Sequence, residues 1–170
     1  MHLGTTMYMV GAILYMLCFH VLDGAPEDIM HGILSDINEF YRKHKVQTQF
    51  SNLKIGSFHD PGAYPKLKGK GAEIKDLVAP LAHVWNAKTR GSTDSSHKWI
   101  GKMLEHQLDA QRILHDFKDE PLVPVQSAID FQQAIAGVHH TWSLVAKHTD
   151  KKRYECMEHS HQTPLLAPPW

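Results

Sequence analysis

Three lysines lie directly before a predicted helix, in the run Lys66-Leu67-Lys68-Gly69-Lys70-Gly71, and Lys75 follows in the first turns of that helix. Backbone N–H groups and the helix dipole attract anions at a helix N-terminus, and lysine side chains neutralise phosphates. We therefore predict anion or nucleic-acid contact at Lys66, Lys68, Lys70 and Lys75. The spacing matches no phosphate-binding loop motif. A solvated basic loop is the competing interpretation, because exposed lysines need no ligand to be stable.

The close spacing of Cys156, His159 and His161 is the pattern in this sequence that is most typical of metal ligands. A structural zinc site needs four ligands in a closed tetrahedron, so a fourth ligand would have to come from elsewhere in the chain. The polar composition of this tail explains the same residues without a metal. We predict no metal and no cofactor, and keep these three residues as the candidate ligands should a metal be bound.

No arrangement in the sequence supplies a nucleophile, a base and an orienting group together, so we predict that the protein is not an enzyme. The chain contains no Gly-x-Ser-x-Gly elbow, no P-loop and no His-Glu-x-x-His motif. A di-iron bundle would need Glu-x-x-His pairs, but Glu39, Glu73 and Glu105 have no histidine three residues later. Cys18 lies in an apolar segment without a cationic neighbour, which predicts an unreactive packing residue.

Composition is typical of one globular domain: 170 residues, 42% hydrophobic and 21% charged. Eighteen basic residues balance eighteen acidic ones, which argues against a general polyanion binder. Residues 41–90, however, carry ten Lys or Arg against three acids, so local phosphate contact remains compatible with the charge. The two cysteines, Cys18 and Cys156, suit a reducing compartment, and we expect an intracellular protein of the cytoplasm or nucleus.

Apolar periodicity predicts an all-α fold of about five helices, packed around an apolar N-terminal helix. A helix over residues 26–44 follows Gly24, and a long loop at 46–68 precedes a third helix that Pro80 should kink. Ser95 or Ser96 is expected to cap the fourth helix, and a fifth begins at Ser127. We predict a single domain over residues 1–148 and a loose, polar and Pro-rich tail over 149–170. The stripe expected to be buried in the fourth helix comprises Trp99, Ile100, Met103, Leu104, Leu108, Leu114 and Phe117.

Residues 3–22 contain no Lys, Arg, Asp or Glu, and two interpretations fit this segment. A buried core helix is favoured, because the segment includes Gly4, Gly11 and His20 and has no flanking basic residue to orient a membrane span. A small membrane protein anchored by residues 3–22 is the alternative. A secretory signal is disfavoured, because the first basic residue is Arg42 and no small-residue cleavage pattern follows.

Several short motifs resemble known sequences. The start His2-Leu3-Gly4-Thr5, followed by an apolar helix, is similar to the stretch after the second catalytic aspartate of RNase H-like cut-and-paste DNA transposases. The block from Leu67 to Leu81 is similar to the start of the all-α insertion of those enzymes. Gly24-Ala25-Pro26-Glu27 and Tyr64-Pro65, together with that block, resemble multicopy proteins of dinoflagellate genomes, which is the closer likeness. The resemblance covers residues 2–148.

The resemblance implies the helical insertion of a transposase-like protein without its catalytic strands. No aspartate precedes His2, and no acidic segment after residue 148 resembles the one that carries the last catalytic glutamate in those enzymes. We therefore expect a fragment of a longer protein, a mobile-element remnant that does not cut DNA. Its nucleic-acid contact would be weak and sensitive to salt.

A helical interaction module is a further alternative. Apolar residues from Ala128 to Val145 repeat at spacings of three and four, which is typical of a seam between packed helices. We expect any association with a second copy or a partner helix to use Phe131, Ile135, Val138 and Trp142.

Overall fold

The structure is a computed structural model that describes the backbone of residues 3–160 and the side chains of residues 4–148. This part of the chain contains five α-helices, two short helical turns and no strand, so the predicted all-α fold is confirmed. The helices are α1 (Leu3–Met16), α2 (Pro26–His44), α3 (Gly71–Lys88), α4 (Ser95–Asp116) and α5 (Val125–Ser160). A π-helical turn, Leu17–Val21, extends α1, and a 3₁₀ turn, Ile55–Ser57, lies in the connection before α3.

Helix α2 has the bounds that its end signals predict. Pro26 occupies the first turn, where no N–H is needed, and Glu27 beside it favours the positive end of the helix dipole. Lys45 ends the helix in the left-handed conformation, with φ of 51°, and its N–H donates to the carbonyl of Tyr41. The buried side chains of α2 are Met30, Ile33, Ile37 and Tyr41.

Helix α3 contacts α1, α2 and α4 and supplies much of the core. The α-helix continues through Pro80, which is itself buried. The indole N–H of Trp85 donates to the carbonyl of His97 over 3.0 Å, which ties the end of α3 to the first turn of α4. The apolar positions predicted from periodicity are buried here: Ile74, Leu77, Val78, Leu81, Val84 and Trp85.

Helix α1 and its π-helical extension contribute side chains to the core from one side of the helix only. The segment Gly4–Val21 has the length and composition of a membrane span, with a mean hydropathy of 1.4, yet 44% of it is buried inside this fold. Met9 and Leu14 belong to the core. Tyr15 and Met16 are half-buried and line an open cleft. The helix therefore joins the core on one side and walls a cleft on the other.

The start of α4 corrects the predicted cap. Asp94, not Ser95 or Ser96, is the N-cap residue: its Oδ1 accepts hydrogen bonds from the N–H of Ser96 at 2.9 Å and from Ser96 Oγ at 2.7 Å. Aspartate and serine cap helices about equally well, so composition could not select between neighbours.

At the other end of α4, Leu114 was expected to be buried but is 41% exposed, because it borders a small hollow rather than the core.

Helix α5 packs along α4 as the second arm of a hairpin. It begins at Val125, two residues before the predicted start, and its backbone continues past residue 148 to Ser160. The two helices are close at Gly137, where an added Cβ would lie 2.6 Å from the ring of His106. Within the predicted seam, Val138 is buried and Phe131, Ile135 and Trp142 are half-buried.

The cap assignment makes a direct prediction. Replacing Asp94 with alanine should lower the free energy of unfolding by about 1–2 kcal/mol, because the two hydrogen bonds that Asp94 accepts at the α4 N-terminus are removed. Ser95→Ala is the matched control and should change it by less than about 0.5 kcal/mol, as expected for an exposed surface position. Urea denaturation measures both, and equal losses in the two variants would contradict the cap.

Candidate functional site

The basic run, residues 66–71, crosses helix α1 at Gly11. The backbone N–H of Leu67 donates to the carbonyl of Met7 over 3.0 Å, and Leu67 is fully buried. A Cβ added at Gly11 would lie 2.7 Å from the nitrogen of Leu67 and 2.9 Å from Cα of Lys66. Glycine at this position therefore allows the backbone of the basic run to lie directly against the helix.

The connection before α3 also holds the basic run, through backbone carbonyls of Ser57 and Phe58. The N–H of Lys66 donates to the carbonyl of Phe58 at 2.9 Å, and that of Lys68 donates to the carbonyl of Ser57 at 2.7 Å. Phe58 is buried, as are Phe50 and Leu53 in the same loop. Three successive N–H groups are thus bonded, and the side chains of Lys66 and Lys68 remain exposed on either side of Leu67.

Two exposed tyrosines lie beside the first lysine of the run. The Nζ of Lys66 is 5.3 Å from the ring centroid of Tyr8, within the range of a cation–π contact. The rings of Tyr8 and Tyr64 are 6.0 Å apart at an interplanar angle of 57°. Tyr8 is 40% exposed and Tyr64 is 61% exposed. We call these three residues the tyrosine–lysine cluster; sequence analysis identified its lysine but neither of its rings.

Lys68 and Lys70 each have a carboxylate close by. Nζ of Lys68 lies 2.7 Å from Oδ2 of Asp60, in an ion pair whose side chains are both more than half exposed, so its contribution to stability is small. The backbone N–H of Lys70 donates to Oε2 of Glu73 over 3.1 Å at the start of α3. The chain's own carboxylate thus already lies at the helix end where we predicted an anion.

Lys75 lies apart from the tyrosine–lysine cluster. It lines a small hollow of about 270 Å³ together with Thr6 of α1, His115 of the last turn of α4 and Lys118 just after that helix. All four predicted lysines are exposed. The structure brings Lys66 and Lys68 together on one short segment and places Lys75 beside a different basic residue, Lys118.

Cys18 is a packing residue, as predicted. It is buried, and its Sγ lies 3.9 Å from Sδ of Met30. Burial, with a smaller contribution from the charge of Glu27, raises the pKa of the Cys18 thiol to about 11. The thiol is therefore protonated at neutral pH and is a poor nucleophile.

The candidate metal ligands Cys156, His159 and His161 lie outside the side chains that the structure describes. Among the described side chains, no group of three or more His, Cys, Asp or Glu residues is placed to hold a metal ion. The prediction for these three residues stays a prediction.

A larger cleft of about 630 Å³ opens behind Tyr64. Its walls come from the half-buried side of α1 and its π-helical turn, from Tyr64 and Pro65, from the first turns of α4 and from residues 142–148 of α5. Five ring side chains other than Tyr64 line it: Tyr15, His20, His97, Trp142 and His148. We call it the ring-lined cleft. Sequence periodicity could not find it, because these residues come from three helices that are distant in the chain.

Comparisons of this chain with protein-family models, with curated proteins and with solved structures found no match. Function must therefore be argued from the side chains that the fold brings together.

Replacing Gly11 with alanine tests the crossing. The added methyl group would press on backbone atoms of Lys66 and Leu67, and we expect the free energy of unfolding to fall by about 1–3 kcal/mol. Gly32→Ala, on the exposed side of α2 with nothing within 4 Å, is the matched control and should gain up to about 1 kcal/mol from helix propensity. Urea denaturation measures both changes; a Gly11→Ala variant as stable as Gly32→Ala would show that the segment does not lie against α1.

Proposed function

We propose that this protein is a non-catalytic helical domain that binds single-stranded nucleic acid through the tyrosine–lysine cluster. The observation that carries the proposal is the position of Lys66 over the ring of Tyr8, with Tyr64 beside it and both rings exposed. Exposed aromatic rings next to cations are the usual platform for unpaired bases, which stack on the rings while lysines contact the phosphates.

Lys68 and Lys70 extend the cationic surface along the basic run, whereas Lys75 lies apart at a separate hollow. Lys68 is already paired with Asp60, and the Glu73 carboxylate lies at the backbone N–H of Lys70, so a phosphate at either position meets a competing carboxylate. The chain has no net charge, so long-range attraction to a polyanion is small. Binding is therefore weak, and it depends on the local cluster and on low salt.

The resemblance to the helical insertion of cut-and-paste transposases supports the same proposal. In a mobile-element remnant of this kind, the helical domain would retain contact with nucleic acid without the strands that carry catalytic carboxylates. A single strand is favoured over a duplex, because paired and stacked bases do not offer their faces to Tyr8 and Tyr64.

A membrane anchor at Gly4–Val21 and a partner-binding seam on α5 are the alternatives. Met9, Leu14 and Leu17 of the apolar segment belong to the core, which favours a structural role for that segment. Val138 of the seam belongs to the same core and Trp142 packs against it, so much of the seam is already used within the chain.

Binding of labelled single-stranded DNA, measured by fluorescence anisotropy over a salt series, tests the proposal. We expect tighter binding to the single strand than to a duplex of the same sequence. The slope of log K, the association constant, against log salt is negative, and Lys66→Gln/Lys68→Gln should make it less steep by about 0.7 for each phosphate that the variant no longer neutralises. Tyr64→Leu should weaken binding by about 1–3 kcal/mol, the usual contribution of one base–ring stack.

Lys43→Gln/Lys98→Gln is the matched control, because it removes the same charge from exposed positions on α2 and α4. This variant should bind almost as well as the unaltered protein. The proposal is wrong if no binding occurs at low salt, or if the control pair loses as much affinity as the Lys66 and Lys68 pair.

A further inference from the structure

The ring-lined cleft has the size and lining of a small-molecule site. Its volume of about 630 Å³ lies within the range of about 300–1,000 Å³ that is typical of ligand pockets. Most of its lining residues belong to α1, α4 and α5, so regular secondary structure sets their positions, and Tyr64 and Pro65 complete the lining from the connection before α3. We propose that this cleft binds a planar heteroaromatic small molecule.

The ring side chains select for a flat ligand. Tyr15 and His20 come from α1 and its π-helical turn, His97 comes from α4, and Trp142 and His148 come from α5. Aromatic pairs gain free energy beyond the area that they bury. Met16 and Met103 add thioethers to the lining, and these also contact ring edges favourably. A saturated ligand of equal size would gain only the burial of its apolar surface.

Polar atoms at one end of the cleft select for a heteroatom in that ring. Asp94 and Ser96 line the cleft at the α4 N-terminus and are hydrogen-bonded to each other. Nε2 of His148 lies 3.4 Å from Oδ1 of Asp94, and Nδ1 of His97 lies 2.8 Å from Oγ of Ser92.

The hydrogen bond with Ser92 fixes the His97 ring, and an edge-on contact with Trp99, at a centroid distance of 5.5 Å, positions the His148 ring before any ligand arrives. The ordering of both side chains is then largely complete in the free protein, which lowers the entropy cost of binding. Ligand pockets of this kind are mostly apolar and orient their ligand by a few fixed polar groups, and a polar end in an otherwise apolar cleft suits a ring that carries heteroatoms.

The ring-lined cleft shares only Tyr64 with the tyrosine–lysine cluster. Neither Tyr8 nor Lys66 lines the cleft, and Tyr64 is the residue of the tyrosine–lysine cluster that does. Variants remote from Tyr64 therefore separate the two activities.

Ligand-observed NMR with adenine and indole as probes, and with a cyclohexyl compound of matched size as the saturated control, tests the proposal. We expect both planar probes to bind about two- to tenfold more tightly than the saturated compound, the range that corresponds to the additional gain from ring pairing. Equal binding of all three compounds, or no binding of either planar probe, overturns the proposal.

Two tryptophan substitutions on the same helix locate the binding. Ala146 is exposed and lines the cleft, whereas Ala136 is exposed and does not. Ala146→Trp should fill the cleft and weaken probe binding at least about tenfold, a loss of about 1.4 kcal/mol, while Ala136→Trp should leave it unchanged. Equal probe binding by the two variants overturns the proposal.

If Ala146→Trp fails to fold, Ala12→Phe takes its place as the test variant. The phenylalanine obstructs the cleft from α1, so we expect the same loss of probe binding. Lys66→Gln/Lys68→Gln changes no residue that lines the cleft and should keep the part of the adenine and indole affinity that Ala146→Trp removes. If the probes do not bind, the proposal that the protein binds single-stranded nucleic acid still stands. If single-stranded DNA does not bind, the proposal for the ring-lined cleft still stands.

Discussion

The contact between α1 and the basic run at Gly11 is the constraint on which the surface features of this protein depend. Met7 offers a helix carbonyl to Leu67, and the missing side chain at Gly11 lets the two backbones meet. Burial of Leu67 between the exposed Lys66 and Lys68 then follows from the alternation of side chains along an extended segment. The same crossing brings Tyr64 to Tyr8, and Tyr64 and Pro65 just before it line the ring-lined cleft.

One side of the apolar helix α1 forms a cleft because the packed elements cover this helix on its other side only. Composition alone shows an apolar segment, which suits a membrane span and a core helix equally well. Packing separates the two sides: Met9 and Leu14 are buried within the core, while Tyr15 and Met16 pack at its edge and line a space that α4 and α5 do not fill. Rings and thioethers on the open side tolerate partial exposure, because they combine apolar area with a polar or polarisable group.

Local signals in the sequence were sufficient to predict the helices. Pro26 marks the start of α2, and the spacing of residues from Ile74 to Trp85 identifies the buried side of α3. The α4 cap was misplaced, because Asp94, Ser95 and Ser96 are all good capping residues and tertiary contacts decide among them. The lysines were found because they are close in sequence. Tyr8 is far from Lys66 in the chain, so their contact could not be predicted without the fold.

Amide hydrogen exchange at Leu67 tests the crossing most directly. If its N–H is bonded to Met7 and buried against Gly11, it should exchange as slowly as the amides at the centre of α3, because both open only when the core opens. Exchange of the Leu67 amide as fast as that of the exposed turn at residues 60–62 would contradict the account, since the basic run would then not be held against α1.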